Sequence, residues 1–411
     1  MILLLLFTLL LILATAFFQV LIYFFPNWPW PKIGTVAVLF SLTLFLCFLG
    51  VKIFQRYSGT DITSGVHDGI IQAEVALSFL SKGVNPYGTD YFGTELEEYK
   101  YSDLPVNPAL YHFAYLPGIL VLGAPGYFGS HYFFDFYDQR LIHALLLTLL
   151  VGWLVFRYRD KSKLIILVPL LFFNFWFMTY FVFGLNDILI IALVILAMEF
   201  IMIRKYWLSA IIFGLALATK QTAWFAAPFL VQFFWHWARQ VNNLNYKKVQ
   251  RSISIWLGTV IITVVIVVLP FWANNPAAFW ADTVGYQLGQ TSNTYPIYGI
   301  GLGEIIYQIG LVPERTSYFP FWAGQFAIVG LFIWYVWKYQ WHHRIEPWQF
   351  LWLWTLFLGG IWFFNRYFTI THLASLMVMA SMAYFYKIIN SDKKKEFKVW
   401  FGRPLAGIIK R

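Results

Sequence analysis

The sequence predicts an all-α polytopic membrane protein of about eleven transmembrane helices, with interfacial helices in a long first external loop. Three observations carry that reading. The 411 residues are 60% hydrophobic and only 12% charged, far from the composition of a soluble domain. Apolar runs at 2–25 and 33–54 each exceed the ~20 residues that cross a bilayer core, and such runs recur toward the C terminus. The connections between them alternate in charge.

Taken in order, the later spans fall at about 141–156, 164–182, 188–203, 207–219, 222–238, 253–272, 321–338, 347–364 and 367–386. One set of connections then carries 21 of the 29 basic residues with five acids, a net of +16; the other carries eight basic and fourteen acidic residues, a net of −6. The first set includes Lys32, Arg157, Lys161, Arg204, Lys205, Lys247, Arg251 and the tail. By the positive-inside rule it is cytoplasmic. That distribution also disposes of nucleic acid as the reason for the net charge of +10. The chain reads as one transmembrane domain over 1–386, with external loops at about 55–140 and 273–319, and a basic cytoplasmic tail at 387–411.

The first run has no charged n-region, so it reads as a retained span with the amino terminus outside, although a re-entrant segment fits the same residues. Cys47, the single cysteine, lies inside a span, which rules out a disulfide framework or thiolate metal site. No Asn-x-Ser/Thr sequon occurs, which leans toward a bacterial cytoplasmic membrane.

Residues 68–82 of the first external loop read as a helix. Ile70, Ala73, Ala76, Leu77 and Leu80 share one face, with Asp68, Gln72, Glu74, Ser78 and Lys82 opposite. Ser64 or His67 can cap its start, and Gly83 with Asn85-Pro86 stops it. A short one-sided helix beside a span is expected to lie in the membrane interface. The segment 111–129 is apolar but broken by Pro117, Gly118, Gly123, Pro125 and Gly126, so it reads as a second interfacial or re-entrant element. As a full span it would put the basic connections outside.

Ionisable groups at the edge of a bilayer are costly to hold there, which makes each a candidate for function. Asp68 heads the interfacial helix. Asp187, in "NDILIIALVIL", opens a span and is also a candidate helix cap. Lys220, in "GLALATKQ", has Gln221 and Thr222 beside it and suits an anionic partner, or else snorkels. Arg366, in the turn "NRYFTITHL", offers a planar fork for phosphate oxygens. His67, His112, His131 and His372 show no metal-ligand spacing, so a divalent metal stays open. No P-loop, dinucleotide fingerprint, nucleophile elbow or His-Glu-x-x-His motif occurs.

In order along the chain, "DGIIQAEVALSFLSKGVNPY", "YLPG", "DQRLIHALLL", "NDILIIALVIL", "GLALATKQ" and "NRYFTITHLASLMVMA" resemble the motif series of the GT-C superfamily of integral-membrane glycosyltransferases. The likeness runs from about 50 to 390 and is nearest the polyprenyl-phosphate-mannose-dependent branch. Many members carry Asp-Glu at the first motif; here it is Asp68-Gly69, so the second carboxylate is either missing or replaced by Glu74.

The resemblance implies inverting transfer of a sugar, mannose by this likeness, from a polyprenyl-phosphate carrier to a lipid, glycan or protein acceptor at the external face. It implies Asp68 as general base, with Asp187 positioning the acceptor or a metal, or tuning Asp68. Arg366, Lys220, His112 and Tyr115 would bind the donor phosphate, with Glu74, His67 and Tyr367 as accessories. Two other readings stand beside it. A lipid-linked-sugar flippase would place polar groups near the midplane. An O-antigen-polymerase-like enzyme would show a late arginine-rich external loop, where 273–319 has only Arg315.

Overall fold

Each of the eleven predicted apolar segments is helical in the computed structural model, which describes residues 2–59, 63, 65–99, 106–134, 136–241, 245–336, 338 and 345–390. Ser64, Arg344 and the tail beyond Asn390 lie outside the described residues. The helices are α1 (Ile2–Phe24), α2 (Trp30–Ser58), α3 (Asp68–Ser81), α4 (Gly118–Phe134), α5 (Arg140–Tyr158) and α6 (Phe175–Phe183). There follow α7 (Asn186–Met202), α8 (Tyr206–Leu217), α9 (Ala227–Val241), α10 (Tyr246–Asn274), α11 (Pro276–Trp280) and α12 (Tyr286–Leu288). The last are α13 (Leu302–Gln308), α14 (Trp322–Tyr335), α15 (Pro347–Phe363) and α16 (Ile370–Ile389). The chain is an all-α polytopic membrane protein.

Five of these helices, α1, α2, α5, α10 and α16, are long and apolar enough to cross a bilayer alone. Ser162–Phe172 and α6 meet at 57°, the geometry of a broken span or a re-entrant loop. The break falls at Phe173 and Asn174. Asn174 then restarts the helix, its side chain accepting from the N–H groups of Trp176 and Phe177. Of the other predicted spans, α7 at 17 residues is one longer than read, and α8 is shorter. The twelve residues of α8 rise only ~18 Å.

Burial follows neighbours rather than the sequence pattern. In α7, Ile188–Ala197 is buried on all sides, and Glu199 with it. That carboxylate was counted as a loop charge; it accepts instead from Tyr158 Oη, Tyr386 Oη and Trp153 Nε1 at 2.6–3.1 Å. The expected interfacial helix α3 is also enclosed, with Gly69–Leu77 all buried. Its polar face can be buried because it is satisfied. Gln72 donates to the carbonyls of Ala109 and His112, and Glu74 is bonded to Arg56 and to the Gln139 N–H. Helix α4 begins at Gly118 and continues past the predicted end, with Phe128, Tyr132 and Phe133 exposed.

The long second loop folds over the same end of the bundle. Its strand β1 (Tyr298–Gly299) pairs in parallel with β2 (Tyr367–Phe368), in the turn before α16. Ile297, Ile306, Val312 and Phe321 make a small core beneath it.

Candidate active site

The connections α2–α3, α6–α7, α8–α9 and α15–α16 come together at one end of the bundle, opposite the ends that carry Lys161, Arg204, Lys205 and Lys247. Main-chain bonds pin them. The His67 N–H donates to the Phe183 carbonyl at 2.8 Å, and the Leu116 and Gly118 N–H groups donate to Thr219 and Ala218. Gly184 closes α6 at φ +87°, where a side chain would also overlap Ile70 of α3. Between these connections lies a cavity of about 340 Å³.

Six of the residues named from sequence line it: His67, Asp68, Tyr115, Asp187, Lys220 and Tyr367. Asp68 Oδ1 accepts the Gly69 N–H at 2.7 Å and lies 2.7 Å from His67 Nδ1. The Gly69 N–H also approaches His67 Nδ1, at 3.1 Å. Both cannot hold at full strength, because a 2.7 Å contact between nitrogen and carboxylate needs the proton on Nδ1. We assign His67 as donor to Asp68. Burial works to raise the Asp68 pKa, but His67, the Gly69 N–H and Lys220 outweigh it and hold the carboxyl below its usual range. The group is therefore ionised and able to accept a proton.

The glycine after Asp68 now has a reason. A Cβ on Gly69 would fall inside the Tyr115 hydroxyl, so a second carboxylate at this position is excluded by that ring. Tyr87 of the "NPY" element holds Tyr115 from behind, its hydroxyl donating to the Tyr115 carbonyl at 2.9 Å. Burial, then the Asp68 charge, pushes the Tyr115 phenol well above its ordinary value, so it remains a hydrogen-bond donor.

Asp187 does not cap its helix. Leu185 stands at the cap position and no side chain caps α7. The carboxylate, 2% exposed, takes Lys220 Nζ at 2.8 Å and Thr222 Oγ1 at 2.9 Å. Lys220 is thus held at the cavity wall rather than snorkelling.

Three named residues stand elsewhere. Glu74 faces away from the cavity, in a buried network with Arg56, Asp138 and Arg140 at 2.7–2.9 Å. Burial and the neighbouring Asp138 drive its pKa up against the pull of Arg56. Asp138, with two guanidiniums, is held down. His112 stands behind the wall, its Nδ1 2.7 Å from Asp282 Oδ1, and ties the second loop to the first. Arg366 turns into an adjoining cavity of about 20 Å³, with Gln287 between the two. Its Nη2 donates weakly to the carbonyls of Arg315, Thr316 and Ser317 at 3.3–3.4 Å, while Nε and Nη1 have no hydrogen-bond partner among the described residues. Burial lowers its pKa to about 10.

Sequence reasoning missed the tyrosines. Tyr99, Tyr286, Tyr295 and Tyr298 line the cavity with Tyr115 and Tyr367. Tyr295 and Tyr367 lie 4.2 Å apart between centroids. Rings of this kind offer flat faces for a pyranose and hydroxyls for its edges. The remaining polar wall is Gln72, Asn186, Thr369, Thr371 and His372. Among the described residues, no three His, Cys, Asp or Glu side chains gather as a metal-holding group.

Compared with known families, the chain matches the model for glycosyltransferase family 87 over residues 113–364. No curated protein and no solved structure matches it.

Proposed function

This chain belongs to glycosyltransferase family 87, and from that premise we propose that it moves a sugar, mannose by its motif series, from a polyprenyl-phosphate carrier to an acceptor hydroxyl at the external face of a bacterial cytoplasmic membrane. The observation that carries the proposal is the convergence of Asp68, Tyr115, Asp187 and Lys220 in one tyrosine-lined cavity. These residues lie far apart in sequence.

The acceptor oxygen attacks the anomeric carbon as the bond to the carrier phosphate breaks, inverting that centre. Its proton passes to Asp68, which is ionised and oriented by His67 and the Gly69 N–H. The depressed pKa makes Asp68 a modest base, so the proton moves late, once the new bond has acidified the hydroxyl. Charge develops on the departing phosphate, and preorganised cations stabilise it. Lys220 stands at the wall for that role. Arg366, in the adjoining cavity, has donors without partners among the described residues and is the second cation for that role. Tyr115 donates a further hydrogen bond, and Asp187 fixes Lys220. A lipid-borne donor explains why the transferase is embedded in a membrane. The polar groups cluster at one end rather than at mid-depth, which favours transfer over transport.

The test is release of carrier phosphate from labelled polyprenyl-phosphate-mannose by protein in lipid, with a membrane-lipid extract as acceptor source. Asp68→Asn, folded as the wild type, is expected to lose ~10²–10⁴-fold in turnover. Release by both proteins would move the base elsewhere. Movement of the donor between leaflets without release would overturn the transferase reading.

A further inference from the structure

A larger cavity, of about 550 Å³, lies on the other side of α3. Gln72 faces the first cavity, whereas Glu74, Ser78 and Lys82 face this one, so the helix is a wall between two chambers. The volume is that of small-molecule sites, ~300–1,000 Å³.

Apart from His131, the charged lining balances, with Arg56 and Lys82 against Glu74 and Glu95. Arg56 is already bonded to Glu74 and Asp138, and Asp138 to Arg140. No surplus charge remains to repay desolvation of an ionic ligand. Five rings share the same chamber: Tyr57, Phe79, Tyr127, Phe136 and Tyr137. Tyr57 and Phe136 lie 4.4 Å apart between centroids, and Tyr127 and Tyr137 5.6 Å. Flat apolar faces beside paired donors and acceptors suit an uncharged saccharide. Its C–H faces pack on rings, while its hydroxyls donate to the Glu95 carboxylate and accept from the Lys82 ammonium.

Exposed aromatics on the elements that line the chamber point to the source. Tyr57 is 55% exposed, and Phe128 and Tyr132, on the same helix as Tyr127, are 56% and 82% exposed. Tyrosines so displayed on a membrane protein are typical of the headgroup level. A ligand with its head in this chamber leaves its tail in lipid. We propose that this cavity is a non-catalytic site that recruits a membrane glycolipid by its uncharged glycan head. Asp68 lies beyond the α3 wall, so binding here is separate from transfer, and its measurement does not depend on the transferase reading.

The experiment is hydroxyl-radical footprinting of the full chain in phosphatidylcholine nanodiscs, read at Tyr127, Phe136 and Tyr137. The probes are neutral diglycosyl diacylglycerols with gluco, galacto and manno heads; the controls are phosphatidylglycerol and the free disaccharides. Protection is expected from at least one glycolipid and not from the controls. Tyr127→Ala is expected to weaken it about fivefold, the scale of one lost ring contact. Ser78→Trp, which fills the chamber from the α3 side, is expected to abolish it. Equal protection by phosphatidylglycerol would overturn the uncharged-glycan assignment. Equal protection by the free disaccharides would overturn the lipid source, and no protection by any probe would overturn the site. Carrier-phosphate release in the same nanodiscs is read separately, so the fate of the transferase proposal stays distinct.

Discussion

Replacing Lys220 by Met is expected to leave the Asp187 carboxylate buried with only the Thr222 hydroxyl as partner. Breaking a buried pair from one side costs ~3–5 kcal/mol, because the surviving charge is uncompensated. Lys220 keeps 20% of its side chain exposed, so the lower end, about 3 kcal/mol, applies here. Asp187→Asn/Lys220→Met removes both charges and is expected to recover most of that loss, since an isosteric neutral pair is often no less stable. The assay is denaturant unfolding in lipid by tryptophan fluorescence for wild type, both single variants and the double, with donor turnover alongside. Stability should return in the double variant while turnover stays low, separating the pair's structural share from its phosphate-facing one. Additive destabilisation would refute the claim that the two residues act as a pair. Full turnover in Lys220→Met would refute a role for the cation.

Three further outcomes follow from the geometry. Gly69→Ala is expected to cost ~1–3 kcal/mol by driving its Cβ into the Tyr115 hydroxyl, and Tyr115→Phe should relieve part of the loss; equal unfolding midpoints with and without that hydroxyl would refute the clash. Arg366→Met should leave the unfolding midpoint nearly unchanged, because the guanidinium has only long bonds to carbonyls, while raising the donor KM more than the acceptor KM; equal effects on both would argue against phosphate binding. Glu74 is raised in the folded state, so its stabilising contribution is whole below the ordinary glutamate range and is lost as pH rises through the raised value. Glu74→Gln should flatten that slope in unfolding midpoints measured against pH, and an unchanged slope would place the titration elsewhere.

Much of this architecture is legible in the sequence, for definable reasons. Helices show as apolar runs, and the bundle's two ends show as loop charge. His67, Asp68, Asp187 and Lys220 stand out because ionisable residues are rare in such a chain. The tyrosines do not, since a ring facing a cavity and a ring in an interfacial belt look alike in sequence. Nor does the network of Arg56, Glu74 and Asp138, whose members lie up to 82 positions apart. The expected lipid-facing disposition of α3 failed because amphipathicity shows only that a helix has two faces. Partners supplied by Ala109, His112 and Arg56 decide whether the polar one meets water or protein.

The bonds that pin this end of the bundle run from peptide group to peptide group: residue 67 to 183, 116 to 219, 118 to 218, 298 to 366 and 300 to 368. Peptide groups are the same whatever side chains they carry. These bonds are insulated from the composition of the walls, so rings such as Tyr99 and Tyr298 can be exchanged without breaking them, whereas Gln72 and the His112–Asp282 contact belong to the frame. A chamber built in this way lends itself to retargeting: a library randomised at the wall positions should yield folded proteins that differ in the sugar they accept, with the carboxylate of Asp68 held in place throughout.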